Sequence, residues 1–269
     1  MIYFLLGFSA TLAIMLLLYV LVLVRPGRFR GADERLFCHY AHRGLHGAGI
    51  PENSLAAFRH AVQHGYGIEL DLQLSSDGEV MVFHDATLKR MTGREGKLSD
   101  YTAAELSAMR LNATTGAMTS EGIPTLKEVL ATVKGEVPLL IELKGETTDT
   151  SLCPATDALL SAYQGPYCIE SFNPMLLFWY RRHRRTVLRG QLYSDLCRER
   201  KWTLHYFLLA QMVLNVFARP HFIACNRLFA ENVSVKLTTR LYRAPRFTWT
   251  VRAEEERVAG KMIFENIRP

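Results

Sequence analysis

The chain has 269 residues, 49% of them apolar, and a formal net charge of +6 from 32 Lys and Arg against 26 Asp and Glu. The apolar share excludes a disordered chain, and the length suits one large domain, or one domain with an anchor. The positive excess gathers in patches such as Arg181, Arg182, Arg184 and Arg185 and is compatible with anionic lipid or phosphorylated substrates. No zinc-finger, bZIP or RNP-type pattern occurs, so no nucleic-acid partner is expected.

Residues Ile2 to Val24 carry no charge and run for about 23 residues, enough to cross a ~30 Å hydrocarbon core. Arg25, Arg28 and Arg30 follow at once. The run has no basic leader, is too long for a signal-peptide core and lacks a small-x-small cleavage site. We therefore expect a single-pass cell-membrane anchor over 1–24, a basic juxtamembrane linker over 25–36, and a cytoplasmic domain over 37–269 by the positive-inside rule. The five cysteines, Cys38, Cys153, Cys168, Cys197 and Cys225, form no CxxC pair, which argues against a disulfide scaffold and fits a reducing compartment. A second apolar stretch, Thr203 to Ala218, includes His205, Gln211 and Asn215 and is short for a span. It reads as a barrel-wall helix, or as one that also dips into the bilayer near a substrate entrance.

From Leu36 onward, strand-like and helix-like runs alternate, the pattern of a parallel sheet with helical crossovers. The strand candidates are Phe37–His42, Gly67–Leu74, Glu79–His84, Val137–Leu143, Tyr167–Ser171, Val187–Gln191, His221–Asn226, Arg246–Val251 and Lys261–Glu265. Helix signals include Leu55, Phe58 and Val62 on one face of Ser54–His64, and capping boxes at Thr102/Glu105 and Thr125/Glu128. Only Ser75-Ser76-Asp77-Gly78 separates the second and third candidates. Four residues cannot hold a crossover helix, so these two form a hairpin with one strand outside the parallel set. The other eight strands fit a TIM (β/α)8 barrel, with a small insertion over about 86–123 after the hairpin and an irregular stretch at 112–122. A doubly wound open sheet is the alternative.

Four pieces of sequence carry chemistry. His42-Arg43-Gly44 ends the first strand, where sites of β/α barrels gather. Glu69 and Asp71 sit at i and i+2 on a strand, which points both carboxylates to one face. Buried side by side they repel, and a hard divalent cation with oxygen ligands relieves that repulsion. His84 follows the third strand. Pairing Leu74 with Glu79 across the turn would bring His84 level with Glu69. Glu142 and Lys144 again share one strand face, where they either pair together or complete a three-carboxylate site with a cation for a phosphate oxygen. Two histidines, three carboxylates, Arg43 and Lys144 at strand ends suit hydrolysis of a phosphate diester, with imidazoles as acid and base and cations stabilising the charge that develops.

The stretches AHRGLHGAGIPENSLAAF, GIELDLQLSSDGEVMVFHDATLKRMTG, IPTLKEVL, LLIELKGE, IESFNPMLL and FTWTV resemble the glycerophosphodiester phosphodiesterase family. The resemblance runs from about Tyr40 to the C-terminus and implies a TIM barrel. It also implies hydrolysis of glycerophosphodiesters to an alcohol and glycerol 3-phosphate with one divalent cation, Ca²⁺ or Mg²⁺. It further implies His42 and His84 as the acid/base pair, and Glu69, Asp71 and Glu142 as metal ligands. By the same resemblance Arg43 and Lys144 bind substrate, with Phe172 and Trp249 as apolar pocket residues. Where relatives often end in a Thr-Asp-x-Pro-like segment, this chain has Phe264-Glu265-Asn266-Ile267-Arg268-Pro269, and Glu265 stands in for the missing aspartate with a longer reach. The apolar segments leave a lysophospholipase D acting on membrane lysophospholipids as the alternative activity, and a non-catalytic lipid- or phosphate-binding barrel as the alternative of another class.

Overall fold

Strand alternation sorts the side chains of this protein into two shells around a closed barrel. The computed structural model describes residues 1–28, 31–47, 49–256 and 260–269; Arg30, expected to flank the anchor, lies outside the described residues. The strands are β1 Tyr40–Ala41, β2 Gly67–Leu74, β3 Val80–Val82, β4 Arg110–Asn112, β5 Met118–Gly122, β6 Leu139–Leu143, β7 Tyr167–Ser171, β8 Leu188–Tyr193, β9 Phe222–Asn226, β10 Arg246–Val251 and β11 Lys261–Phe264. β1, β2 and β6 through β11 run parallel, each bonded to the next, and β11 returns to β1 through Tyr40↔Ile263 and Ala41↔Phe264. That closure makes a TIM-type barrel and excludes the open doubly wound sheet.

On β2, Ile68, Leu70 and Leu72 pack outward against the helices, as do Leu139, Ile141 and Leu143 on β6. Their neighbours Glu69, Asp71, Leu140 and Glu142 therefore face the barrel interior. The lower interior is filled by Tyr40, Leu140, Cys168, Leu188, Phe222, Phe247 and Ile263. Gly190 makes room there: a Cβ on it would lie 2.0 Å from the Phe222 ring.

β3 pairs antiparallel with β2 outside the barrel, as expected of the hairpin. Its register differs by one residue from expectation: Leu74 faces Val80, not Glu79. The Asp77-Gly78 turn places Glu79 inside the connection, where its N–H and carbonyl both engage Ser75. His84 is consequently not level with Glu69 through the ladder. It reaches the barrel mouth because the chain bends after Val82, with Gln73 Nε2 donating to the carbonyls of Phe83, His84 and Asp85 at 2.8–3.2 Å.

The insertion after the hairpin has its own small core of Met81, Phe83, Leu88, Met91, Leu98, Leu106, Leu111 and Ile123. The stretch read as irregular, 112–122, instead holds most of an antiparallel pair, β4–β5, whose register slips between Arg110 and Asn112. Both expected capping boxes are formed, at Thr102/Glu105 and Thr125/Glu128. The apolar segment Thr203–Ala218 is not one helix. It breaks into Leu204–Ala210 and Asn215–Ala218, with Met212 in the left-handed region at φ 51°.

The N-terminal helix, Ile2–Leu23, has a mean hydropathy of 2.5 and is long and apolar enough to cross a membrane. None of Ile2–Leu18 is buried. The last turns are docked on the barrel wall. Tyr19 Oη donates to Gln211 O (3.0 Å), Asn215 Nδ2 to Val24 O (3.2 Å), Arg219 Nη1 to the carbonyls of Val22 and Arg25 (2.8 and 2.7 Å), and Tyr242 Oη to Val20 O (2.6 Å). Gly27 N donates to Pro220 O at 2.8 Å. Val24 is fully buried beside Tyr193, Met212, Ile223 and Val235.

Candidate active site

The site begins at a tight turn after β1. His42 N donates to Phe264 O at 2.9 Å, and Arg43 takes φ 56°, a left-handed conformation that costs a non-glycine residue energy. That turn aims the Arg43 amide at Glu69 Oε2 (2.8 Å), while its guanidinium meets Glu52 Oε1 (2.7 Å) and lies 3.6 Å from Asp71 Oδ2. Gly44 must be a glycine: its φ is 81°, and a Cβ would strike Ala57 at 2.8 Å. Asn53, also left-handed, donates from Nδ2 to Asp71 Oδ2 at 2.8 Å.

Glu69, Asp71 and Glu142 converge. One oxygen of each lies within 4.8 Å of the others. Asp71 and Glu142 are register partners across β2 and β6. Lys144 Nζ, two residues beyond Glu142, reaches both carboxylates at 2.8 Å. Electrostatics separates the three acids. Burial, then the charges of Asp71 and Glu142, hold Glu69 well above the usual carboxylate range. Burial also opposes the charge on Asp71, but Lys144 and then Arg43 outweigh it and hold this group well below its ordinary value. Burial likewise works against Lys144, yet Asp71 and Glu142 raise it.

His42 and His84 line the same cavity as Glu69 and Glu142, and each is backed by a carboxylate. Glu265 Oε2 lies 3.0 Å from His42 Nδ1, so the expected longer reach is realised. Burial lowers His42 to about 4, against the upward pull of Glu265. Asp85 Oδ1 lies 2.7 Å from His84 Nδ1. Arg90 grips both oxygens of Asp85 (2.6 and 2.9 Å) and both oxygens of Glu52 (2.7 and 3.0 Å). The insertion thus contributes a guanidinium that links the second histidine to Arg43 through Glu52.

A cavity of about 260 Å³ opens at the C-terminal ends of the barrel strands, lined by His42, Arg43, Glu69, His84, Glu142, Lys144, Phe172 and Trp249. Phe172 and Trp249 meet edge to face, 5.8 Å between ring centroids. Asp71 is the one predicted site residue that does not line the cavity; it lies beneath the floor, buried. All nine residues singled out in the sequence are therefore gathered at one end of the barrel.

Some participants went unread. Glu170 on β7 sits opposite Glu142 in the ladder, is 1% exposed, and has an Oε2 without a hydrogen-bond partner. Burial, then the charges of Glu69 and Glu142, push it well above the ordinary carboxylate range. A signal was available: Ile-Glu recurs at 68–69, 141–142 and 169–170, placing an inward glutamate on each of three parallel strands, with Glu142 and Glu170 in register. Glu52, Asp85 and Arg90 lie within or beside quoted motifs, but only the fold shows that they form one charge network.

The donor set fits a hard divalent cation: three oxygen ligands on two adjacent strands, with a mutual repulsion that such an ion relieves. The fold and site define a phosphodiesterase-type TIM barrel. The sequence profile of the "Glycerophosphoryl diester phosphodiesterase family" matches residues 42–258, and the chain belongs to that family. It is 44% identical over 112 residues to a "Glycerophosphodiester phosphodiesterase" of Bacillus altitudinis, covering 39% of this chain and 44% of that one. It is 40% identical over 114 residues to a lysophospholipase D of Rattus norvegicus, covering 39% and 36%. The chain thus spans less than half the length of these two curated relatives. Among solved structures, an Oleispira antarctica phosphodiesterase in complex with sn-glycerol-3-phosphate superposes with a TM-score of 0.68 at 23% identity, over 85% of this chain and 93% of that one.

Proposed function

We propose that this protein hydrolyses glycerophosphodiesters to an alcohol and glycerol 3-phosphate. The observation that carries the reading is the pair of carboxylate-backed imidazoles flanking an acidic cluster and two cationic side chains in one cavity. With Nδ1 of each ring engaged by a carboxylate, Nε2 of each is the atom left to face substrate. His42, neutral at physiological pH, takes the proton from the attacking oxygen. His84 gives a proton to the alkoxide released as the phosphorus–oxygen bond breaks, and Asp85 stabilises the charge on that ring. Arg43 and Lys144 bind the phosphate oxygens. Phe172 and Trp249 wall the leaving-group side.

Glu69, Asp71 and Glu142 would hold one divalent cation, Ca²⁺ or Mg²⁺. Bound there, it supplies charge stabilisation for the phosphate in the transition state. The anchor reading also belongs to this proposal: Ile2–Leu23 crosses the cell membrane once, and Arg25 and Arg28 keep the barrel on the cytoplasmic side.

The test is release of glycerol 3-phosphate from glycerophosphocholine by the purified full-length protein. Loss of activity in His42→Ala and His84→Ala supports the reading, and unchanged activity in both removes it. A second reading, lysophospholipase D, is favoured by the apolar helix and by the similarity to the rat enzyme. Turnover of a lysophospholipid without turnover of glycerophosphocholine would select it.

A further inference from the structure

The helix that docks on the barrel wall has a direction. Residues 194–221 carry the chain from the C-terminal end of β8 back to the N-terminal end of β9, so falling residue number along this segment means rising toward the cavity. Most of the docking bonds to this segment run in step with it: Gly27 meets Pro220, Val24 meets Asn215, and Tyr19 meets Gln211, while the long Arg219 side chain reaches both Val22 and Arg25. The free part, Ile2–Leu18, therefore leaves the wall heading for the cavity end. It has 17 residues, about 26 Å of helix against a hydrocarbon core of about 30 Å. A helix that spans must take its docked turns, and the wall beside them, to the level of the headgroups.

That edge of the barrel is apolar where a soluble face would be polar. Trp202 is 69% exposed and Leu204 63%, with the Phe207 ring tilted against Trp202 at 6.4 Å between centroids. Leu228, 67% exposed at the C-terminal end of β9, lines the cavity. Arg198, Arg200 and Lys201 are exposed immediately beside Trp202. Aromatic and aliphatic side chains next to cations are the composition of a surface that sits in an anionic membrane interface.

We propose that the barrel seats its cavity end on the same bilayer that the helix crosses, with Trp202, Leu204 and Phe207 in the interface. The cavity then draws on phosphodiesters whose acyl or alkyl chain stays in the leaflet. The seating is independent of the phosphodiesterase reading; the choice of substrate rests on it.

Two measurements test it with the full-length protein in vesicles of phosphatidylcholine and phosphatidylglycerol. In the first, the acyl chains are brominated and tryptophan fluorescence is read. Trp202 is one of three tryptophans, with Trp179 and Trp249. Lipid quenching that is mostly lost in Trp202→Phe supports the seating; equal quenching in both proteins, or none in the parent, overturns it. In the second, Trp202→Ser combined with Leu204→Gln should slow hydrolysis of a lysophospholipid in the vesicles by about tenfold, the scale of one lost apolar insertion, and leave hydrolysis of soluble glycerophosphocholine unchanged. No loss, or the same loss on both substrates, overturns the supply from the leaflet. A protein that shows the Trp202 quenching but hydrolyses neither substrate retains the seating and removes the phosphodiesterase reading instead.

Discussion

Asp71 and Glu142 face each other across adjacent strands, and Lys144 bridges them with 2.8 Å contacts to both. This relationship places one positive charge where two negative ones would otherwise destabilise the barrel, and among the described residues it leaves Glu69 as the acid without a cationic side chain of its own at such distance. The lysine and a divalent ion answer the same electrostatic need, so the two must share the carboxylates.

Cation binding should therefore be visible without any turnover. Added Ca²⁺ or Mg²⁺ should raise the melting temperature of the full-length protein, by the equivalent of about 2.7 kcal/mol at a hundred times Kd. Glu69→Gln is nearly isosteric and removes a charge that burial and the neighbouring acids disfavour, so it should fold. Its melting temperature should no longer respond to the ion, as calorimetry or a dye-based melt would show. An undiminished response in Glu69→Gln would remove this residue from the ligand set.

Removing either imidazole should be costly. His42→Ala and His84→Ala should each lower kcat on glycerophosphocholine by about 10²- to 10⁴-fold, the usual scale of a lost general acid or base, with far-UV dichroism unchanged. Asp85→Asn should have a smaller effect than His84→Ala, because it leaves Nε2 in place and only frees the ring to turn.

His42 also gives a pH signature in stability. Its folded value is about 4 against an ordinary 6.5, so the unfolded chain binds a proton that the native one does not. Stability from this group is fully present above 6.5 and falls as the pH drops toward 4. Glu265 is held at about 2: burial opposes its charge, but the His42 hydrogen bond together with the charges of His42 and Arg252 outweighs it, and it stays ionised over most of that range. Urea midpoints measured from pH 7 down to pH 5 should fall less steeply for His42→Asn than for the parent. Parallel slopes would show that His42 is not buried in its neutral form.

The barrel interior offers a test of packing alone. Gly190→Ala would place a methyl 2.0 Å from the Phe222 ring, so the ring or its strand must move. We expect a loss of about 1–3 kcal/mol in chemical denaturation, the range for overpacked cores.

Much of this arrangement is legible in the chain. Carboxylates two apart within apolar strands, as at Glu69 and Asp71, must share a face, and the brevity of Ser75–Gly78 forces a hairpin. Less is visible where the determinant is not periodic. β5, Met118–Gly122, is short and polar and offers no alternation that marks it as a strand. Asp-Gly marks the turn at 77–78 but not which residue leads out of it, so the pairing came out one residue away from expectation. The break at Met212 requires a left-handed residue that no glycine or asparagine announces. Arg90 lies 38 residues from Glu52, and their bidentate contact exists only because the insertion folds back over the mouth of the barrel.

The clamp between Tyr19–Gly27 and the barrel wall decides where the protein can be shortened. Val24 fills a buried seat and accepts from Asn215 at its own carbonyl, while its neighbours supply carbonyls to Arg219 and Tyr242. Trimming to residue 25 would open that seat, strand the Asn215 and Tyr242 donors and leave Arg219 only the Arg25 carbonyl, whereas trimming to residue 19 would keep the plug in place and discard only the greasy overhang. A well-behaved aqueous form of this protein should accordingly begin inside its apolar helix, several residues before the first arginine.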